Sequence, residues 1–186
     1  MFQDRILPPA TTRERITVMQ GQALVSSDPN IEFSTVLGSC VALCLYDPEA
    51  RIGGMNHFLL AEPPFGSGLG SMIDEHFGTY LMELLINHML FLGSSKPRLK
   101  ARLYGGGNVN RTTMRIGSAN ADFARSFVQR EGIELLRSDL GGNCVRRVEF
   151  CPASGQVRCR HVEDCFAPPD TPTIRPAKAH GDVELF

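Results

Sequence analysis

The sequence predicts an α+β fold, in which two main helices pack on a mixed or antiparallel sheet assembly. Short apolar runs with strand character outnumber helical patterns along the chain. Two segments, residues 71–92 and 118–131, repeat their apolar residues at helical spacing. Predicted hairpins mix with strand–helix–strand units, and no internal repeat is evident. Together these observations indicate an α+β fold with the two helices packed on the sheet assembly.

Five strands are predicted in the first half of the chain. Gly21 separates the first two, residues 26–30 (SSDPN) form a turn before the third, and residues 47–50 (DPEA) form a turn between the fourth and fifth. The predicted strands are residues 16–20, 22–25, 31–37, 41–46 and 51–60. Residues 61–71 are rich in Pro, Gly and Ser and are expected to form a mobile loop beside the last of them.

The second half begins with the helix at residues 71–92, which Gly93 is expected to end. A strand at residues 99–104 leads into three consecutive glycines. Ser118 or Asn120 can cap the second helix, and Gly132 ends it. The remaining predicted strands are residues 133–136, 144–151 and 156–162, the last two joined by a turn at residues 152–155.

Length and composition favour a single domain. The chain has 186 residues, of which 42% are hydrophobic and 21% charged, as in ordinary globular proteins. We expect a flexible lead at residues 1–13, one domain at residues 14–165 and a disordered tail at residues 166–186. The net charge of −1 provides no field that would attract nucleic acid, and no apolar stretch is long enough to insert in a membrane.

The six cysteines are expected to be reduced thiols. The N-terminus has no apolar segment typical of a signal peptide, so the expected location is the cytoplasm. No CxxC pair occurs and the later cysteines are irregularly spaced, which argues against zinc. The sequence therefore predicts neither a metal site nor a cofactor.

Cys40 and His57 are the candidate catalytic pair. If residues 47–50 form a four-residue turn, the two residues lie directly opposite each other on one face of a hairpin. A free thiol has a pKa of about 8.5, and a neighbouring imidazole can take its proton and hold the thiolate as an ion pair. A different turn length would shift the register and change the pairing. A cysteine in an apolar run is more often a small buried residue, so residue types alone do not establish catalysis.

Glycines near this pair could bring backbone amides to a substrate. Gly38 permits a bend before Ser39 and Cys40, where amides could form an oxyanion hole, although an ordinary glycine bulge fits equally. Gly106 and Gly107 belong to a glycine run that could approach a ligand closely, or that simply forms a turn.

Residues 37–60, LGSCVALCLYDPEARIGGMNHFLL, resemble the signature of the chemoreceptor glutamine deamidase (CheD) family of bacterial chemotaxis. That family is similar, in its Cys–His arrangement, to the deamidase domain of cytotoxic necrotizing factor toxins. The resemblance continues through GGGN at residues 105–108, through residues 110–120 that open the second helix, and through SDLGGN at 138–143 and RVEF at 147–150. It covers roughly residues 14–162 in order.

The resemblance implies a layered α/β sandwich with the Cys40–His57 site at a sheet edge. It implies that Cys40 attacks the side-chain amide of a receptor glutamine and that His57 transfers the protons. In the family a threonine a few positions before the cysteine orients the histidine. Here the position counted from Cys40 favours Ser34, whereas the residue type favours Thr35. Gly106 and Gly107 would line the site.

The implied partners are methyl-accepting chemotaxis receptors and, in some bacteria, a chemotaxis phosphatase that sequesters the deamidase. Two other functions stay open at this point. The chain could be a receptor-binding adaptor for which catalysis is dispensable, or a different thiol enzyme such as a peptidase or small-amide hydrolase.

Overall fold

The computed structural model describes residues 13–60, 76–109 and 114–162. The predicted mobile loop at residues 61–71 and the predicted tail lie outside these residues. The strands are β1 (Glu14–Thr17), β2 (Gln22–Ser26), β3 (Ile31–Leu37), β4 (Val41–Asp47), β5 (Ile52–His57), β6 (Lys100–Gly105), β7 (Glu134–Leu140), β8 (Val145–Cys151) and β9 (Gln156–Val162). The helices are α1 (His76–Phe91) and α2 (Met114–Arg130), with a short 3₁₀ helix at Lys96–Arg98.

The strands form two sheets. One has four strands in the order β1-β3-β8-β9, and the other has five in the order β2-β5-β4-β6-β7. Both are mixed, since β1–β3 and β6–β7 pair in parallel and the other neighbours are antiparallel. With α1 and α2 packed on the assembly, the predicted α+β class is confirmed.

Strand β4 shows how the layers stack. Val41, Leu43 and Leu45 belong to an apolar cluster shared with the helices, whereas Ala42 and Cys44 belong to a second cluster shared with β3 and β8. The five-stranded sheet is therefore the middle layer, with helices on one face and the four-stranded sheet on the other. This accounts for the nearly continuous apolar run of β4, because a strand buried on both faces loses its alternation.

The register of the β4–β5 hairpin differs from the predicted one. Asp47 pairs with Ile52 and Cys44 with Met55, so the turn is at residues 48–51 and not at residues 47–50. Asp47 is fully buried, and its carboxylate accepts the backbone N–H groups of Glu49 and Ala50. Arg51 takes a left-handed φ of 55° to close the turn. Cys40 is consequently not directly opposite His57.

Two further boundaries differ from the predicted ones. Helix α2 begins at Met114, so Ser118 and Asn120 lie inside the helix and do not cap it. Strand β7 reaches Leu140, four residues beyond the predicted end. No described helix is long and apolar enough to cross a membrane.

Candidate active site

Cys40 and His57 lie on the same face of the middle sheet despite the changed register. Val41 bridges to Phe58, which makes Cys40 a diagonal neighbour of His57 across that pair. Diagonal neighbours on one face of a sheet are about 7–8 Å apart, a distance that an imidazole side chain can largely span. The register differs from the predicted one by two residues. Because strand side chains alternate between faces, Cys40 and His57 stay on the same face and only their direct pairing is lost. The face is the one turned toward the four-stranded sheet.

Thr35 connects that second sheet to the histidine. It belongs to β3, and its Oγ1 lies 2.9 Å from His57 Nδ1 in a buried contact between the sheets. Ser34, the alternative third residue, is also buried but pairs with Glu149 on the other face of β3. Of the two hydroxyls, the structure brings only that of Thr35 to the imidazole.

The hydrogen bonds around His57 determine which ring nitrogen carries the proton. Thr35 Oγ1 donates to the carbonyl oxygen of Val18 at 2.9 Å, and His57 Nδ1 lies 3.2 Å from that same oxygen. A carbonyl oxygen only accepts, and the Thr35 proton is already used, so we assign the proton of the neutral ring to Nδ1. Nε2 then has the lone pair of a base. It is buried and has no hydrogen-bond partner among the described residues.

The Cys40 thiol is half-buried just before β4. Its Sγ donates a hydrogen bond to Gln20 Oε1 over 3.6 Å. Burial raises the pKa of Cys40 to about 11, with a small opposing effect of its own backbone N–H. Burial lowers the pKa of His57, partly offset by the hydrogen bond to Val18. Both shifts favour a neutral thiol and a neutral imidazole, not the expected ion pair, in the resting protein, and the thiol is hydrogen-bonded to Gln20 and not to Nε2.

The glycine run at residues 105–107 packs directly against the loop of Gly38, Ser39 and Cys40, called the nucleophile loop below. Gly106 N–H donates to the Cys40 carbonyl at 2.7 Å, and Gly107 N–H donates to the Gly38 carbonyl at 2.8 Å. A Cβ on Gly105 would lie 2.1 Å from the Cys40 oxygen, and one on Gly107 would lie 2.8 Å from the Cys144 oxygen. Side chains therefore cannot be accommodated here without moving backbone. The structure brings Gly38, Gly106 and Gly107 together.

Asn120 is a site residue that the sequence did not reveal. Its fully buried side-chain amide donates to the Ser39 carbonyl at 2.8 Å and accepts the N–H of Leu60 at 2.8 Å. One side chain thus ties the loop before the thiol to the segment after His57. The residue type fitted a helix cap, and only the tertiary structure shows this use. Gln20 and Val18 were likewise not predicted, since a turn residue and a backbone carbonyl leave no sequence signal.

The site provides no set of ligands for a metal. Among the described residues, no group of three or more His, Cys, Asp or Glu side chains could hold one. What the arrangement offers is a thiol and a base with an oriented lone pair, which is the chemistry of nucleophilic catalysis.

Comparisons with known proteins give a consistent result. Residues 60–161 match the family model described as CheD chemotactic sensory transduction. A protein of Zymomonas mobilis named probable chemoreceptor glutamine deamidase CheD is 54% identical over 173 residues, 93% of each chain. Proteins with the same name from Caulobacter vibrioides and Acidiphilium cryptum are 46% and 43% identical, each over 92% of this chain and 93% of theirs.

Solved structures are more distant. The crystal structure of Neisseria meningitidis protein NMB0706 aligns with a TM-score of 0.46 and 10% sequence identity, over 71% of this chain and 65% of that one. The family model begins at residue 60, whereas the matches to the CheD-named relatives also cover the N-terminal segment that contains Cys40 and His57.

Proposed function

This chain belongs to the CheD family, and from that premise and the site geometry we propose that it is a chemoreceptor glutamine deamidase. The reaction hydrolyses the side-chain amide of a protein glutamine to glutamate and ammonia. The observation that carries the proposal is the orientation of His57, whose Nδ1 is anchored by Val18 and Thr35 while Nε2 is left without a partner on the face that holds the thiol. The names of the curated relatives supply the substrate class.

In the first half of the reaction, His57 Nε2 takes the proton of the Cys40 thiol as Sγ attacks the carboxamide carbon. The resulting imidazolium returns that proton to the nitrogen, and ammonia leaves. The product is a thioester between Cys40 and the substrate side chain. In the second half, Nε2 takes a proton from water, hydroxide adds to the thioester carbonyl, and the thiol leaves with the proton as glutamate is formed.

Because Cys40 and His57 are both neutral in the resting protein, the proton moves from the thiol to His57 during the attack and not before it. A thiol with a pKa near 11 contains almost no thiolate at pH 7. A base positioned for this transfer is typically worth about 10²–10⁴ in rate. Val18 and Thr35 assist by holding the ring in the tautomer that presents the Nε2 lone pair.

The oxyanion of the tetrahedral intermediate needs donors near Sγ. The N–H groups of Gly106 and Gly107 are already bonded to the carbonyls of Cys40 and Gly38. We therefore assign the stabilising role to the nucleophile loop of Gly38, Ser39 and Cys40, and assign to Gly106 and Gly107 the task of holding that loop in place.

The proposal includes the setting of the reaction. Each deamidation adds one negative charge to the receptor and creates a site that can be methylated. The substrates are the cytoplasmic helices of methyl-accepting receptors, which places the enzyme in the cytoplasm. A chemotaxis phosphatase that sequesters the deamidase is the second partner we propose, on the family resemblance alone.

Mass spectrometry of a receptor cytoplasmic fragment tests the function. The fragment is incubated with the purified protein, with Cys40→Ala and with Cys40→Ser, and its peptides are compared. Conversion of Gln to Glu at defined sites with the unaltered protein alone would support the proposal. An unchanged fragment that still binds would favour the adaptor function, and cleaved peptide bonds or turnover of free glutamine would favour a different thiol enzyme.

A further inference from the structure

The turn between β1 and β2 lies over the candidate site. The Val18 carbonyl accepts from Thr35 and His57, and Gly21 N–H donates to the His57 carbonyl at 2.8 Å. Between these two residues, Gln20 extends its side chain to the thiol, with Oε1 3.6 Å from Cys40 Sγ. The turn thus holds a glutamine of the protein itself at the nucleophile.

Gln20 carries the same carboxamide as the proposed substrate. Its amide carbon is one C=O bond of about 1.2 Å from Oε1, so it lies within about 5 Å of Sγ. The residue is exposed, and exposed side chains change rotamer in picoseconds to nanoseconds. A small rotation about its side-chain bonds can therefore bring the carbon into reach of the sulfur.

Holding a reactant beside the nucleophile also removes the cost of bringing it there. Well-oriented intramolecular reactions reach effective concentrations far above those of free reactants, of the order of 10⁵–10⁸ M. Gln20 lies beside the Cys40 thiol in every copy of the protein, whereas a receptor glutamine must first bind.

We propose that Gln20 is a self-deamidation site, converted to glutamate by Cys40 of the same chain. The inference rests on the proposed function and extends it to an intramolecular substrate. The Cys40 thiol loses its proton to His57 Nε2 as the bond from Sγ to the Gln20 amide carbon forms. The imidazolium protonates the nitrogen, the C–N bond breaks and ammonia leaves. Water then hydrolyses the internal thioester, which leaves a glutamate side chain at position 20 and the free thiol.

Gln22 provides an internal comparison. It lies two residues further along the chain, and its Oε1 accepts the backbone N–H of Met19 at 2.9 Å. Its carboxamide is thus engaged elsewhere, and we expect it to stay an amide. A conversion of both residues would indicate ordinary solution chemistry and would overturn the proposal.

The experiment follows the peptide that contains both glutamines in the full-length protein. Purified protein is incubated in ¹⁸O-labelled water, digested and analysed by tandem mass spectrometry at several times, beside Cys40→Ala and Cys40→Ser. A glutamate at position 20 that contains a labelled oxygen, with Gln22 unchanged and both variants unconverted, would support self-deamidation. Protein already converted during expression would carry an unlabelled glutamate at that position in the unaltered chain alone, which also supports it.

A receptor cytoplasmic fragment in the same incubation separates the two proposals. Deamidated receptor with Gln20 still an amide would overturn self-deamidation and leave the proposed function intact. An unchanged receptor together with an unchanged Gln20 would overturn both. Equal conversion of Gln20 in the Cys40 variants would overturn self-deamidation, because the nucleophile would not be required.

Discussion

Thr35 Oγ1 lies 2.9 Å from His57 Nδ1 and joins the two sheets at the candidate active site. We expect Thr35→Val to lower kcat about tenfold, because loss of one buried hydrogen bond of about 1–1.5 kcal/mol leaves the ring less firmly oriented. Steady-state deamidation of a receptor fragment measures this. Ser34→Ala, on the opposite face, is the control and should keep most of the activity. A larger effect of Ser34→Ala would contradict the assignment.

The pH profile of kcat/KM should show that His57 is neutral at pH 7 in the free enzyme. Burial lowers the pKa of His57 below its usual 6.5, so the ring stays neutral at pH 7 and accepts a proton only in more acidic solution. We expect kcat/KM to be level just above pH 6.5 and to fall at some lower pH. An acid limb centred above pH 7 would contradict this and would favour an ion pair in the free enzyme.

The same shift affects stability. Unfolded His57 binds its proton near pH 6.5, whereas folded His57 binds it at a lower pH. The unfolded state therefore gains protons first as the solution is acidified, and the contribution of this residue to stability is lost as pH falls below 6.5. Urea denaturation at several pH values, compared between the unaltered protein and His57→Gln, would measure the difference.

Asn120→Ala should lower both stability and activity. Removing the amide leaves the part-buried Ser39 carbonyl and the buried Leu60 N–H without this partner, at a cost of about 1–3 kcal/mol. Asn56→Ala is the matched control, because Asn56 is equally buried but bonds Leu43 and the α1 helix. We expect similar losses of stability and a larger loss of kcat for Asn120→Ala. Equal kcat losses would contradict a positioning role.

Alanine substitutions at two glycines with nearly the same φ distinguish the cost of the left-handed backbone from the cost of steric overlap. Gly106 has φ +63° and Gly132 has φ +66°, but a Cβ on Gly106 would lie 2.8 Å from the Gly117 oxygen, and one on Gly132 would meet nothing within 4 Å. Gly132→Ala should cost about 1 kcal/mol of stability from the left-handed angle alone. Gly106→Ala should cost more and should reduce deamidation, since it displaces the donor to the Cys40 carbonyl.

Asp47 should stabilise the protein strongly at neutral pH. Burial alone would raise the pKa of its carboxyl, but the Arg98 guanidinium and the N–H groups of Ser95, Ala50 and Glu49 outweigh that effect and lower it to about 2. The lowering of the Asp47 pKa from its usual 3.8 stabilises the folded protein by about 2 kcal/mol above pH 3.8. This stabilisation is lost as the pH falls from 3.8 toward 2.

Asp47→Asn therefore should lower the free energy of unfolding by about 2 kcal/mol at pH 7, with a difference that shrinks in acid. Glu49→Gln is the control, because Glu49 also pairs with Arg98 but its side chain is 74% exposed. An exposed pair of this kind contributes little. Denaturant titration of both variants at pH 7 and near pH 3 measures the contrast.

Much of the fold followed from patterns that are local in sequence. Helical spacing predicted α1 and α2, and turn residues predicted the hairpins, because propensity and alternation act over a few residues. The face shared by Cys40 and His57 was also determined locally, since strand side chains alternate with period two. An error of two in the register left that face unchanged.

Only the tertiary structure decided what depends on distant segments. Asp47 joined β4 and moved the turn because its carboxylate is bonded by Arg98, 51 residues away. Thr35 and not Ser34 meets His57 because the other sheet packs on that face, and sequence spacing does not report how two sheets are stacked. Gln20 and Asn120 reach the nucleophile loop from a turn and a helix. Their contacts depend on the packing of whole layers, whereas the nucleophile and its base are set by one hairpin.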